Sequence, residues 1–132
     1  MKVRAAGVLI LALCTAGTVP AAGQADAQGS GGIVFVGSSI FHRWTSLAGQ
    51  MAPLPILNLA FDGAETADVL RLVDSRVLPL RPKVVAYYCG SNDVDAGESA
   101  NAIVDRIRRF IDRVATALPD THVVFRIDQP RP

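Results

Sequence analysis

The feature that most constrains the fold of this chain is a threefold alternation of short apolar runs with amphipathic segments, closed by a fourth run. The runs cover residues 33–36, 56–59, 83–89 and 122–127. The first and third are almost continuously apolar, as strands buried on both faces should be. After the first, residues 40–48 read as a helix, before Pro53 and Pro55 break regular structure. After the second, Glu65 or Thr66 opens a helix with Val69, Leu70, Val73 and Val77 at helical spacing, ended by Pro79 and Pro82. After the third, Ser99 is placed to cap the longest helix. Its Ile103, Ile107, Phe110, Ile111, Val114 and Leu118 form one stripe, while Asp105, Arg106, Arg108, Arg109, Asp112 and Arg113 fall mostly on other faces. Such alternation predicts an α/β protein of three layers, α/β/α, with a central parallel sheet.

The segment ahead of the first run has a different character. Lys2 and Arg4 precede a short apolar stretch from Gly7 to Leu13, and small residues follow up to Ala25-Asp26-Ala27. A basic start, a short apolar core and an A-x-A site make a secretory signal peptide over residues 1–27, too short in its apolar part for a membrane span. Residues 28–31 then read as a flexible leader and 32–132 as one domain. The expected location is secreted or periplasmic, with no integral membrane segment after cleavage. Removing residues 1–27 takes the formal charge from +1 to zero. A near-neutral chain with dispersed arginines has no electrostatic footprint for nucleic acid. Cys89 is the one cysteine left, so the fold rests on its core without an internal disulfide.

Three polar signatures follow the first three runs: Gly37-Ser38-Ser39-Ile40, Asn58 to Gly63, and Gly90-Ser91-Asn92-Asp93. If the runs are parallel strands, all three open at the carboxyl edge of one sheet, where open α/β sheets bind ligands. A serine, a glycine-bearing loop and an asparagine gathered there suit a nucleophile with fixed donors for a developing oxyanion. Each has a plainer reading. Ser39 could cap a helix, Gly63 could serve only as a turn residue, and Asn92-Asp93 could form an Asx-type turn.

In residues and in order, the three signatures resemble the first three blocks of the SGNH (GDSL) esterase and lipase superfamily. Gly37-Ser38-Ser39-Ile40 is similar to its first block, Asn58-Leu59-Ala60-Phe61-Asp62-Gly63 to its second, and Gly90-Ser91-Asn92-Asp93 to its third. The resemblance implies a flavodoxin-like fold and hydrolysis of carboxylic esters through an acyl-enzyme on Ser39, without cofactor. It assigns the oxyanion hole to the backbone N–H of Ser39, the backbone N–H of Gly63 and the side-chain amide of Asn92. The implied partner is a small-molecule ester, whether acetylated carbohydrate, lipid or small ester.

This sequence departs from the pattern in places. Ser38 stands where the family name has Asp, which implies a different hydrogen-bond anchor in that turn. Asp62 puts a carboxylate beside the expected oxyanion hole and narrows the expected substrate range. The family's last block, Asp-x-x-His, supplies the base and its orienting carboxylate, and no such block lies between Asp93 and Pro132. The catalytic His and Asp are therefore expected to be outside this chain, which reads as a domain whose last elements are missing. His42 should project away from Ser39, and His122 should lie at the opposite, amino edge of the sheet. Phe41, Trp44 and Phe61 read as core residues before pocket residues. Two histidines far apart and one cysteine do not make a zinc site, and no Gly-rich nucleotide motif occurs. The alternative to an enzyme is a secreted, non-catalytic binding module that keeps the pocket and lacks the base.

Overall fold

The computed structural model describes residues 31–126. The readings made for the signal peptide, for most of the leader and for residues 127–132 lie outside it. Four strands, β1 (Ile33–Gly37), β2 (Ile56–Asn58), β3 (Val84–Tyr88) and β4 (His122–Phe125), form one sheet in the order β2-β1-β3-β4. Every pairing is parallel, with Val34 beside Leu57 and Val85, and Val85 in turn beside Val123.

Period-two alternation gives the sheet two apolar faces. On one, Val34 and Val36 of β1 and Val85 and Tyr87 of β3 pack with α3 (Thr66–Leu72) and α5 (Ala100–Ala117). The Tyr87 ring lies edge-on to Phe110 at 5.1 Å and against Phe125 at 5.0 Å. On the other face, Phe35 and Tyr88 pack with Phe41 and Leu47. Those two side chains come from α1 (Ser39–His42) and α2 (Leu47–Gln50). The sheet thus lies between two helical layers, as the alternation predicts.

Two segments differ from their expected form. Residues 40–48 are not one helix: the chain turns between α1 and α2. Phe41 and Leu47 are both buried against Phe35 and Tyr88. Six residues apart on a continuous helix, they would stand about 120° apart at 3.6 residues per turn and would not lie side by side on one face. The second helix also changes form, passing from α3 through a π-helical turn (Val73–Val77) into a 3-10 turn (Leu78–Leu80) with Pro79 at its start. Its buried positions Val69, Val73 and Val77 stay on the sheet throughout. Ser99 caps α5 as expected, its Oγ accepting the Ala102 N–H at 3.2 Å.

The topology fixes where a site can form. The connection leaving β1 passes over one face of the sheet to β2, and the connection leaving β3 passes over the other to β4. β1 and β3 are neighbours, so the carboxyl ends of these two strands flank the switch point at which such sheets bind ligands.

Candidate active site

Gly37 ends β1 beside Tyr88, the last residue of β3. The backbone leaves β1 through φ +141° at Gly37, and the Ser38 N–H donates to the Tyr88 carbonyl at 3.0 Å. This bond anchors the turn. The Ser38 hydroxyl, buried, has no hydrogen-bond partner among the described residues, so the replacement for the family's aspartate works through the main chain. Ser39 is the first residue of α1 and is half-buried. As a first-turn residue its N–H has no intrahelical acceptor, which leaves that donor for a ligand.

The second loop is held against the first. The Phe61 N–H donates to the Gly37 carbonyl at 3.1 Å, and the Asn58 side chain donates to the Phe41 carbonyl at 2.6 Å. Asn58 Oδ1 also accepts the Ala60 N–H at 3.0 Å, closing an Asx turn. Gly63 follows, exposed, at φ +74°, with nothing within 4 Å of a Cβ placed on it. That open side leaves room for a ligand to approach its backbone closely.

The third loop packs on the second. After Gly90, at φ +133°, residues Ser91–Asp95 form a short helix, α4, which periodicity had not signalled. Asn92 Nδ2 donates to the Ala64 carbonyl at 2.8 Å. One of its two amide hydrogens is so used and the other remains. The same carbonyl accepts from Cys89 Sγ at 3.2 Å. Burial pushes the Cys89 thiol up to about 12, with the charge of Asp93 adding to the effect, so the sulfur stays neutral here.

Asp93 is fully buried beneath this assembly. Its carboxylate accepts the Thr66 N–H at 2.9 and 3.1 Å and the Thr66 hydroxyl, capping α3 from another element. Arg106 of α5 reaches Asp93 at 3.2 Å and Glu98 at 2.9 Å. Its guanidinium pKa is raised by the hydrogen bond to Glu98 and, less, by the Asp93 charge, burial opposing. Helical spacing had put Arg106 among the charged residues off the apolar stripe. Position along a helix says nothing of a carboxylate 13 residues upstream, so no sequence signal marks it.

Other expectations meet mixed outcomes. Asp62 pairs with Arg43, Nε to Oδ1 at 3.1 Å, so its charge is compensated at the surface. That bond, ahead of simple charge attraction, raises the Arg43 pKa. His42 Nδ1 donates to the Ala60 carbonyl at 3.0 Å and makes no hydrogen bond to Ser39. His122 starts β4, at the amino edge. Phe41 is core, whereas Trp44 and Phe61 are exposed, the Trp44 indole N–H donating to Gln50 Oε1 at 2.7 Å. Among the described residues no helix is long and apolar enough to cross a membrane.

The fold has solved counterparts. A Streptococcus pneumonia protein provisionally described as a platelet activating factor matches with TM-score 0.66 and 21% identity, over 73% of this chain and 45% of that one. A GDSL-like lipase from Bacteroides thetaiotaomicron matches with TM-score 0.63 and 18% identity, over 70% and 46%. The psychrotrophic esterase EstA from Pseudoalteromonas, inhibited by monoethylphosphonate, matches with TM-score 0.60 and 13% identity, over 71% and 58%. The chain thus spans about half the length of these structures. No curated protein matches it. Residues 5–132 match the model of a family described as GDSL-like Lipase/Acylhydrolase. With three loops in that family's order meeting at one switch point, and nearly the whole sequence matched, the chain belongs to the GDSL-like lipase/acylhydrolase family.

Proposed function

We propose that this chain carries the nucleophile and oxyanion hole of an exported serine hydrolase acting on carboxylic esters. The observation that carries the proposal is the hydrogen-bonded closure of the three loops. Ser38 is tied to Tyr88, Phe61 to Gly37 and Asn92 to Ala64. Ser39, Gly63 and Asn92 are thereby held on one rim of the sheet.

In this reading Ser39 Oγ attacks the ester carbonyl carbon, and the carbonyl oxygen takes up the negative charge. The N–H groups of Ser39 and Gly63 and the remaining amide hydrogen of Asn92 stabilise that oxygen, with no reorganisation needed at the moment of reaction. Collapse of the tetrahedral intermediate expels the alcohol and leaves the acyl group on Ser39, which water then removes. The base that takes the Ser39 proton comes from outside the described residues, since His42 is engaged with Ala60 and His122 starts β4 at the amino edge. The substrate is a small ester, and the signal-like residues 1–27 support export.

The position of His42 also favours a second reading, a binding module with the pocket but no base. A p-nitrophenyl phosphonate ester decides between them. An active serine displaces p-nitrophenol and keeps the phosphonyl group, and peptide mass mapping is expected to find it on Ser39. Labelling that is lost in Ser39→Ala, together with turnover of p-nitrophenyl acetate, supports the enzyme. Labelling elsewhere would overturn the assignment, and neither labelling nor turnover would leave the binding module.

A further inference from the structure

We infer that Arg106 is a positioning residue for the oxyanion hole, acting through Asp93 to fix the Asn92 amide relative to Gly63. The inference rests on the functional reading above and adds to it a residue from outside the three signature loops.

Two short bridges join the second and third loops. One is Asn92 Nδ2 to the Ala64 carbonyl at 2.8 Å. The other is the Asp93 carboxylate, which receives both donors of Thr66. Asn92 and Asp93 are consecutive, and so are Gly63 and Ala64, with Thr66 two residues further on. The two oxyanion donors of that reading, Gly63 and Asn92, therefore share one hydrogen-bonded unit, and Asp93 is its buried pin. A carboxylate wholly removed from water is costly unless it is paired and hydrogen-bonded. Arg106 supplies the pairing, and is itself held in place by Glu98.

The geometry favours a guanidinium over a simple cation. Nη1 faces Asp93 while Nη2 faces Glu98, at 3.2 and 2.9 Å. A planar fork can serve two carboxylates at once with fixed angles, and a lysine ammonium on a flexible stem holds both less well. Without Arg106 the Asp93 side chain keeps only Thr66 as a partner among the described residues, and α4 has to shift to bring water to it. Asn92, one residue away, shifts with it. A misplacement on the ångström scale costs rate without changing what the site binds.

The test compares R106M, R106K and R109M in the full natural chain, the last altering the exposed Asp105–Arg109 pair of the same helix. Active sites are counted by p-nitrophenol released from the phosphonate, and kcat and KM are measured with p-nitrophenyl acetate. R106M is expected to lower kcat per active site about 10- to 100-fold with KM within about twofold, R106K less, and R109M not at all. A purely structural role would lower the number of active sites and the unfolding temperature while leaving kcat per site intact. In parallel, the Asn92 side-chain amide signals of 15N-labelled protein are expected to move in R106M and R106K but not in R109M. Should the wild-type protein show no turnover, the enzymatic reading fails while the amide signals still decide the positioning role. Unmoved Asn92 signals in R106K, or a wild-type kcat per site, would overturn the inference even if R106M failed to fold.

Discussion

At Gly37 the backbone runs at φ +141°, and a Cβ built there would lie 1.8 Å from the Tyr88 carbonyl oxygen. That oxygen is the acceptor for Ser38 and cannot move without releasing the turn that presents Ser39. Gly37→Ala is therefore expected to cost more than about 3 kcal/mol in urea unfolding, overpacking against backbone adding to the strain of the φ value. Gly63→Ala has open space around it and only a φ of +74° to bear, so it should cost about 1–2 kcal/mol. Similar losses at the two sites would contradict this distinction. The sequence marks both glycines as loop residues of the site; only the register of β1 with β3 shows that one of them is also a packing requirement. Cys89 gives a prediction of a different kind. Burial raises its thiol from 9.0 to about 12 and raises the Tyr87 hydroxyl as well. Both stay neutral in the fold, while the unfolded chain loses those protons earlier. The stability they contribute is fully present below pH 9 and declines above it, up to the folded values. Replacing Cys89 by Ser removes one of these titrations and keeps a donor for Ala64. Its urea midpoint should fall less steeply than wild type between pH 9 and 10, and parallel curves would count against a neutral buried thiol.

The helices show which local signals can be trusted. Ser99 ahead of the apolar stripe marks the start of α5, and its side chain does take the Ala102 N–H. Ser99→Ala should cost about 1 kcal/mol, and Ser99→Asp, which keeps the acceptor, should cost much less; equal losses would show that the cap contributes nothing. The segment 40–48 misleads because its composition suits a helix, while the burial of both Phe41 and Leu47 on one sheet face demands a break. Local propensity is a weak prior, and packing overrides it. The short α4 could not be read from periodicity, since five residues make little more than one turn and only Asp93 among them is buried. The burial of Asp93 itself is invisible in sequence because its partners, Thr66 and Arg106, come from two other elements.

For the molecule as a whole, the parallel sheet and its helical layers follow from the alternation of elements, and the rim that bears the site follows from the switch between β1 and β3. Nothing in the alternation of elements marks how unequally the two faces are covered. On the α3 and α5 side, Val123 and Phe125 of β4 join the core. On the other side, α1 and α2 lie over Phe35 and Tyr88, and Val124, next to Ala86 in the sheet, is 56% exposed. Among the described residues β4 also pairs with β3 alone, so its outer edge presents unpaired main-chain groups. An apolar face beside an open strand edge favours association between copies. The 132-residue chain is therefore expected to show a rising average mass in sedimentation or light scattering as concentration increases. Val124→Lys places a charge on that face and should suppress the rise, while shifting unfolding by no more than about 0.5 kcal/mol, as surface changes do. Lysine on an edge strand opposes pairing with a second chain and leaves the β3–β4 ladder intact. A chain that stays monomeric at every concentration, with or without the substitution, would show that this face does not drive association.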